Sequence, residues 1–361
     1  MDINHLAGLV KYQNQFYSGF RAASSDGNII RMNTRCTSAA AAIYGAVVSA
    51  RSLLYRNKIL PVHEIPGVSV FSTGSLRCGG MGKTPVTIFL AQWLRDREIS
   101  VAVIHRGYRG SREFTGGMVS DGENILLDVE EAGDEAHLLA ESLPGVFVFC
   151  GSDRAGMIRL AAQAGARAAI LDDGFQHMRV HRDVDMLLVH PDDVSDNARL
   201  LPGGPLREPF KAAERASVRA GILSDYDSKP PDMILFDIRA VSLEGTEDEA
   251  PVDSLAGRRV FAFSAIARPR RFENMLEKHG AVVAQHKIYR DHHAFSEDDV
   301  HYLAQQAIKS DADLTVCTQK DAVKIFNRLP WKGPELRALK IHAAPVHGMD
   351  YLEKALGQLC L

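Results

Sequence analysis

The residues with the clearest chemical pattern are Arg77-Cys-Gly-Gly-Met-Gly-Lys-Thr84. A glycine-rich turn ending in Gly-Lys-Thr, after an apolar strand and before a helix, is suited to phosphate. Its glycines let backbone N–H groups turn toward phosphate oxygens, and the helix start adds partial positive charge. On this reading Arg77, Cys78, Gly79, Gly80, Met81 and Gly82 wrap the phosphates of a nucleotide. Lys83 reaches the β- and γ-phosphates, and the Thr84 hydroxyl meets Mg2+. The full pattern G-x-x-x-x-G-K-[ST] has glycine where this chain has Arg77, so Gly79 and Gly80 supply the freedom to turn.

A second constellation is Ala168-Ala-Ile-Leu-Asp-Asp-Gly-Phe-Gln-His177. It puts Asp172 and Asp173 at the end of an apolar strand, the edge of a parallel sheet where ligands bind. A carboxylate there can hold Mg2+. A solvated Asp-Asp-Gly turn is the plain alternative, and the phosphate loop upstream favours the metal. Arg106, Arg109 and Arg112 follow the second apolar strand, Val101–Ile104, and suit either a substrate phosphate or a solvated basic face. Thr318-Gln-Lys-Asp321 comes close to the Asn/Thr-Lys-x-Asp motif that reads guanine. Its lysine is displaced by one place, which counts against a GTP switch.

These residues need a scaffold, and the pattern around them is α/β. Apolar runs at Val68–Phe71, Val101–Ile104, Val146–Phe149, Ala168–Leu171 and Met186–Val189 read as strands. Helical stretches at 82–94, 134–142 and 153–164 alternate with them, which implies βαβ units and a mainly parallel sheet. A proline- and acid-rich stretch follows, read as a linker over 227–255. Alternation resumes at Arg259–Phe263, 281–285 and Leu314–Cys317. The expected organisation is an irregular extension (1–36), an amphipathic helix (37–60), a nucleotide-binding core (61–226), the linker, and a smaller α/β unit (256–361).

Composition narrows the function classes. The 361 residues are 46% hydrophobic and 24% charged with net charge −3, so no basic field exists to hold nucleic acid. None of the five cysteines forms a C-x-x-C pair, in keeping with a reduced, cytosol-facing compartment. The uncharged run Ser38–Ala50 is shorter than the roughly 20 apolar residues of a spanning helix. With Ile43, Tyr44, Val47, Val48, Leu53 and Leu54, flanked by Arg51, Arg56 and Lys58, it suits the headgroup layer of a membrane, or packing against the protein.

Over residues 40–350 the chain resembles the tetraacyldisaccharide 4'-kinases of lipid A synthesis. The resemblance is carried by Gly79-Gly-Met-Gly-Lys-Thr-Pro85, Arg106-Gly-Tyr108 and Gly133-Asp-Glu135. It continues through Asp172-Asp-Gly-Phe-Gln-His177 and Leu201-Pro-Gly-Gly-Pro-Leu-Arg-Glu-Pro209, and ends with Asp291-His-His293, Phe295 and Lys320-Asp-Ala-Val-Lys324. The chain departs from the family at Ser75 (usually Asn), at His105 (often Ser) and at Ala265-Ile-Ala-Arg-Pro269.

What the resemblance implies is a P-loop fold and transfer of the ATP γ-phosphate to the 4'-hydroxyl of an acylated disaccharide 1-phosphate. It implies Mg2+ as cofactor and an N-terminal helix on the cytoplasmic face of the inner membrane. It makes Asp134 the base and His292 its partner, brought together when the two units close. It gives Arg207 and Glu208 a role in holding metal or phosphate, with Gln176 and His177 in support. The residues alone leave duller readings open. Asp134 also charges a helix start, and His292 and His293 precede a Ser-x-x-Asp cap. Rival functions are a nucleotide switch, a kinase of a small soluble substrate and, weakly, a metal phosphoesterase using Asp291-His-His293.

Overall fold

The computed structural model describes residues 34–195, 198–326 and 329–357. It opens with α1 (Thr34–Arg56) and β1 (Ser69–Ser75), then α2 (Lys83–Arg95), β2 (Val101–His105) and β3 (Gly117–Ser120). Next come α3 (Val129–Ala132), α4 (Asp134–Ser142), β4 (Phe147–Cys150), α5 (Arg154–Gln163), β5 (Ala168–Asp172), β6 (Val184–Leu188) and β7 (Val218–Ile222). The remainder is β8 (Ile234–Glu244), β9 (Glu249–Pro251), β10 (Arg259–Ser264), α6 (Pro269–Lys278) and β11 (Val282–Ile288), then α7 (Glu297–Lys309), β12 (Leu314–Thr318), α8 (Gln319–Ala322), β13 (Leu336–His347) and α9 (Met349–Leu356).

One sheet runs through both halves in the order β11-β10-β12-β13-β8-β7-β6-β1-β5-β2-β4-β3, with β9 on β8. Pairing is parallel except at β3–β4, β8–β9 and the seam β8–β13. The parallel strands are apolar throughout, as burial on both faces demands: β2, β5 and β6 are buried along their whole length. Phe71, Val103, Ile170 and Met186 centre the larger core, and Val260, Leu276, Val316 and Leu339 the second.

The stretch expected to be a linker is the seam of the sheet. It carries β8, 11 residues paired on both edges, and β9. Pro230, Pro231, Glu247 and Asp248 fall in the flanking turns, Glu244 ends β8 and Glu249 and Pro251 bound β9, while Ile234, Leu235 and Phe236 are fully buried. Averaged composition hid a central strand.

The expected extension falls mostly on residues 1–33, outside the described residues. The helix expected over 37–60 spans Thr34–Arg56, 23 residues. Its segment Thr37–Arg56 is long and apolar enough to cross a membrane by length and composition. One face nevertheless docks on the protein: Tyr44 and Val48 are buried with Leu201, and Tyr55 is buried too. Tyr44 Oη donates to the Arg207 carbonyl (2.8 Å) and Arg51 Nη2 to the Gln176 carbonyl (2.8 Å). Ile43 and Leu53 are exposed on the other side.

Candidate active site

Parallel strands put their carboxyl ends on one edge, and there the chemical residues gather. Thr73 of β1 lies beside Asp172 of β5. Gly74 sits where a Cβ would stand 2.4 Å from Phe175 Cβ, so the Asp-Asp-Gly turn can cross β1 closely. After β1 the loop turns back at Gly79 (φ 98°) and Gly82 (φ 75°), left-handed conformations that favour glycine, and α2 begins at Lys83. Gly79, Gly80, Met81, Gly82, Lys83 and Thr84 line a cavity of about 240 Å³. Lys83 Nζ lies 3.4 Å from both Ser75 Oγ and Asp173 Oδ1.

Asp172 and Asp173 differ in what they have left to give. Asp172 is 2% exposed; its Oδ1 accepts from Thr87 Oγ1 (2.9 Å) and more weakly from Thr73 (3.5 Å). Its Oδ2 has no hydrogen bond among the described residues, and burial pushes its carboxyl above the usual range. Asp173, held at φ 52°, gives both oxygens to a bidentate clamp from Arg207 (2.8 and 2.9 Å). Asp172 and Thr84 face the same cavity. A carboxylate and a hydroxyl fit Mg2+ held with nucleotide phosphates, which needs few protein ligands. No cluster of three or more potential ligand side chains occurs among the described residues.

The opposite wall is a charge network. His292 Nδ1 lies 2.9 and 3.1 Å from the Asp134 oxygens, and its Nε2 is 3.0 Å from Lys320 Nζ. Lys320, whose ammonium can only donate, also reaches Glu135 (2.9 Å) and Asp291 (3.2 Å). With the Lys320 ammonium donating to His292 Nε2, the ring's Nδ1–H is directed at Asp134. Glu135 in turn accepts from His105 Nε2 (3.1 Å), whose Nδ1 accepts from the Gly107 N–H (3.0 Å).

Burial alone would raise Asp134 and Glu135. The His292 hydrogen bond and the Lys320 charge hold Asp134 below the usual carboxylate range, and Lys320 with His105 holds Glu135 well below it. Burial likewise opposes the Lys320 charge, but Glu135, Asp134 and Asp291 outweigh it and raise its pKa. Glu135, Asp291 and Lys320 line the cavity. His292 has φ 61°, left-handed for a non-glycine residue, and its carbonyl is held by Arg109 Nη1 at 2.7 Å. The pair stands assembled in this structure.

Five of the expected ligand residues, Arg77, Cys78, Gln176, Arg207 and Glu208, do not line the cavity. Arg77 pairs with Asp193 (2.7 Å) while its backbone bridges Leu206; an arginine in the pattern's first glycine position points into the neighbouring loop. Cys78 packs against the Tyr44–Val48–Leu201 cluster under α1. Gln176 Nε2 donates to the Ser75 carbonyl (3.1 Å), steadying the strand end and not the cavity. Glu208 gives both oxygens to Arg215 (2.7 and 2.8 Å), is 2% exposed and does not line the cavity. Arg207 acts on Asp173 and the Ser75 carbonyl (2.7 Å), a positioning contact. His177 lies beside several arginines, and burial with their charge keeps it neutral. Arg106 and Arg112 pair with Glu113 and Glu131. His293 stacks on Tyr289 and meets Asp299.

Residue patterns missed Lys320, Glu135 and His105 as parts of a site. Lys320 lay in the near-miss of the guanine motif, Glu135 beside the candidate base, and His105 registered only as a departure from serine.

A model of the family described as tetraacyldisaccharide-1-P 4'-kinase matches residues 34–358. The tetraacyldisaccharide 4'-kinase of Anaeromyxobacter dehalogenans (strain 2CP-C) is 38% identical over 339 residues, covering 88% of each chain. That of Pelobacter propionicus is 34% identical over 330 residues, covering 89% of this chain and 90% of the relative. Among solved structures, the "apo" form of LpxK from Aquifex aeolicus in complex with ATP is similar with a TM-score of 0.74 and 28% identity. The match covers 91% of this chain and 99% of that one.

Proposed function

Because the chain belongs to the tetraacyldisaccharide-1-P 4'-kinase family, we propose that its cavity is the place where the ATP γ-phosphate meets the lipid's sugar hydroxyl. The enzyme is an ATP-dependent kinase that phosphorylates the 4'-hydroxyl of a tetraacyldisaccharide 1-phosphate in lipid A biosynthesis. The observation that carries the site reading is the sharing of one cavity by residues 79–84 and by Glu135, Asp291 and Lys320, the last of which bonds His292 of the Asp134–His292 pair.

Phosphoryl transfer needs position and charge neutralisation more than covalent help. Lys83 neutralises the β/γ-phosphates. Thr84 and Asp172 would hold Mg2+, which supplies further neutralisation of the phosphate oxygens; Asp173, clamped by Arg207, orients Lys83 instead. As the sugar oxygen bonds to the γ-phosphorus, its proton passes to Asp134, and the bond from that phosphorus to the β–γ bridging oxygen breaks to release ADP. His292 Nδ1–H fixes Asp134 and keeps it ionised to accept that proton.

The exposed apolar side of α1, with Ile43 and Leu53, continues in exposed Ile59 and Val62 beside Arg56 and Lys58. That face supports peripheral contact with the cytoplasmic face of the inner membrane. Docking through Tyr44, Val48 and Tyr55 argues for a helix lying on the bilayer and not through it.

The test is transfer of labelled γ-phosphate from ATP to tetraacyldisaccharide 1-phosphate in detergent micelles. Labelled bisphosphorylated lipid, absent with Lys83→Ala, is the expected result. Folded, ATP-binding protein that yields no lipid product would leave the acceptor to be sought among soluble alcohols.

A further inference from the structure

A charged cluster on the rim of the same cavity has no part in the chemistry above. Asp225 ends the short turn Leu223–Asp225 that follows β7. Its side chain is 9% exposed and takes two guanidinium groups from the second half of the chain. Arg271 Nη2 bonds it directly, and Arg268 Nη1 stands 3.4 and 3.5 Å from its two oxygens. His190 Nε2 lies 4.0 Å from an Asp225 oxygen. Arg268 also crosses to the phosphate loop, its Nη2 lying 3.6 Å from Met81 Sδ.

The segment bearing these arginines rests on the glycines. A Cβ on Gly80 would stand 3.4 Å from Ala267 Cβ and 3.6 Å from Arg268 Cγ. Both arginines line the cavity together with Gly79–Thr84.

Two guanidiniums share the single carboxylate of Asp225, so the trio carries one positive charge in excess, and both arginines line the cavity that Lys83 lines. Planar forks of this kind match phosphate oxygens bidentately. Other phosphoryl-transfer enzymes use an arginine brought over the phosphate loop to neutralise the transferring group.

We propose that Arg268 and Arg271 bind the β- and γ-phosphates of the nucleotide across the loop, and that Asp225 is the partner they leave to do so. This deepens the proposed function and rests on it. Exchange of a carboxylate for a polyphosphate also ties the second half of the molecule to the nucleotide by charge, in addition to the seam.

Calorimetric binding of ATP and of AMP to the full chain separates the possibilities, with Lys83→Ala alongside. Arg268→Ala and Arg271→Ala should each weaken ATP about tenfold or more, the worth of a charge-assisted bond, and leave AMP unchanged. Asp225→Asn should bind ATP as tightly as wild type or tighter. If Asp225→Asn weakens ATP as much as the arginine variants do, the cluster is a structural clasp and the proposal fails. It fails also if the ATP-to-AMP ratio is unmoved in both arginine variants. Should Arg271→Ala unfold, Arg271→Lys keeps the charge without the fork and must still lose ATP affinity relative to AMP. Loss of ATP binding in Lys83→Ala with no change in the arginine variants would sink this inference alone. No change in Lys83→Ala would sink the phosphate-loop reading beneath it.

Discussion

The two walls of the cavity are built in different ways. The phosphate wall is local: residues 73–87 form a strand, a turn and a helix start, and one parallel register brings Asp172 alongside Thr73. The opposite wall is assembled from afar. Asp134 and His292 are 158 positions apart, and Glu135 and Lys320 are 185 apart. The first wall holds a ligand with backbone geometry; the second holds a carboxylate ionised with balanced charge. Damage to one should therefore appear in nucleotide or metal binding, and damage to the other in turnover and pH dependence.

The largest effect belongs to Lys320→Met, which leaves Asp134, Glu135 and Asp291 without their shared cation. Lipid phosphorylation should fall roughly a hundredfold to a thousandfold. Denaturant unfolding should show a loss of about 3 kcal/mol, since the acids left behind are partly buried. A fully active, stable variant would break the contrast between the walls.

His292→Gln comes next, with turnover down about ten- to a hundredfold, less than expected for loss of a base. His292 helps hold Asp134 below the usual carboxylate range, so its removal lets that pKa rise. Less Asp134 is then ionised in mild acid, and the acidic limb of the kcat profile moves to higher pH. An unmoved limb would separate His292 from the base. On the phosphate wall, Asp172→Asn should raise the Mg2+ concentration for half-maximal rate about ten- to a hundredfold, with a smaller change for Asp173→Asn. The reverse order would exchange the two roles.

The smallest effect is His105→Ser, which removes one hydrogen bond from Glu135. It should cost about 1 kcal/mol in stability and leave the ATP affinity unchanged in a titration. A weakened ATP affinity would show that the two walls are coupled.

The same contrast explains what the sequence made legible. The helix at Asp134–Ser142 and the strand at 168–172 followed from periodicity, and the phosphate loop from its glycines, because each is decided by neighbours in the chain. β8 and β13 were hidden: β8 by the turn residues around it, and β13 by His342, Pro345 and His347, which interrupt its apolar run. Their antiparallel pairing is a property of the whole sheet. Lys320 was visible only as a motif fragment, since its partners lie on two other segments, at Glu135 and at Asp291–His292. Arg77 and Glu208 illustrate a related limit of motif position, which suggests ligand contact but says nothing of the pairings with Asp193 and Arg215 seen in the structure.

The most direct test of the account is to follow ATP binding and labelled phosphate transfer to tetraacyldisaccharide 1-phosphate in the same preparation of Asp134→Asn. The account predicts ATP bound as tightly as by the unaltered chain, with transfer reduced by about a hundredfold or more. Transfer at the original rate would contradict it, because the second wall would then hold no group that the reaction needs.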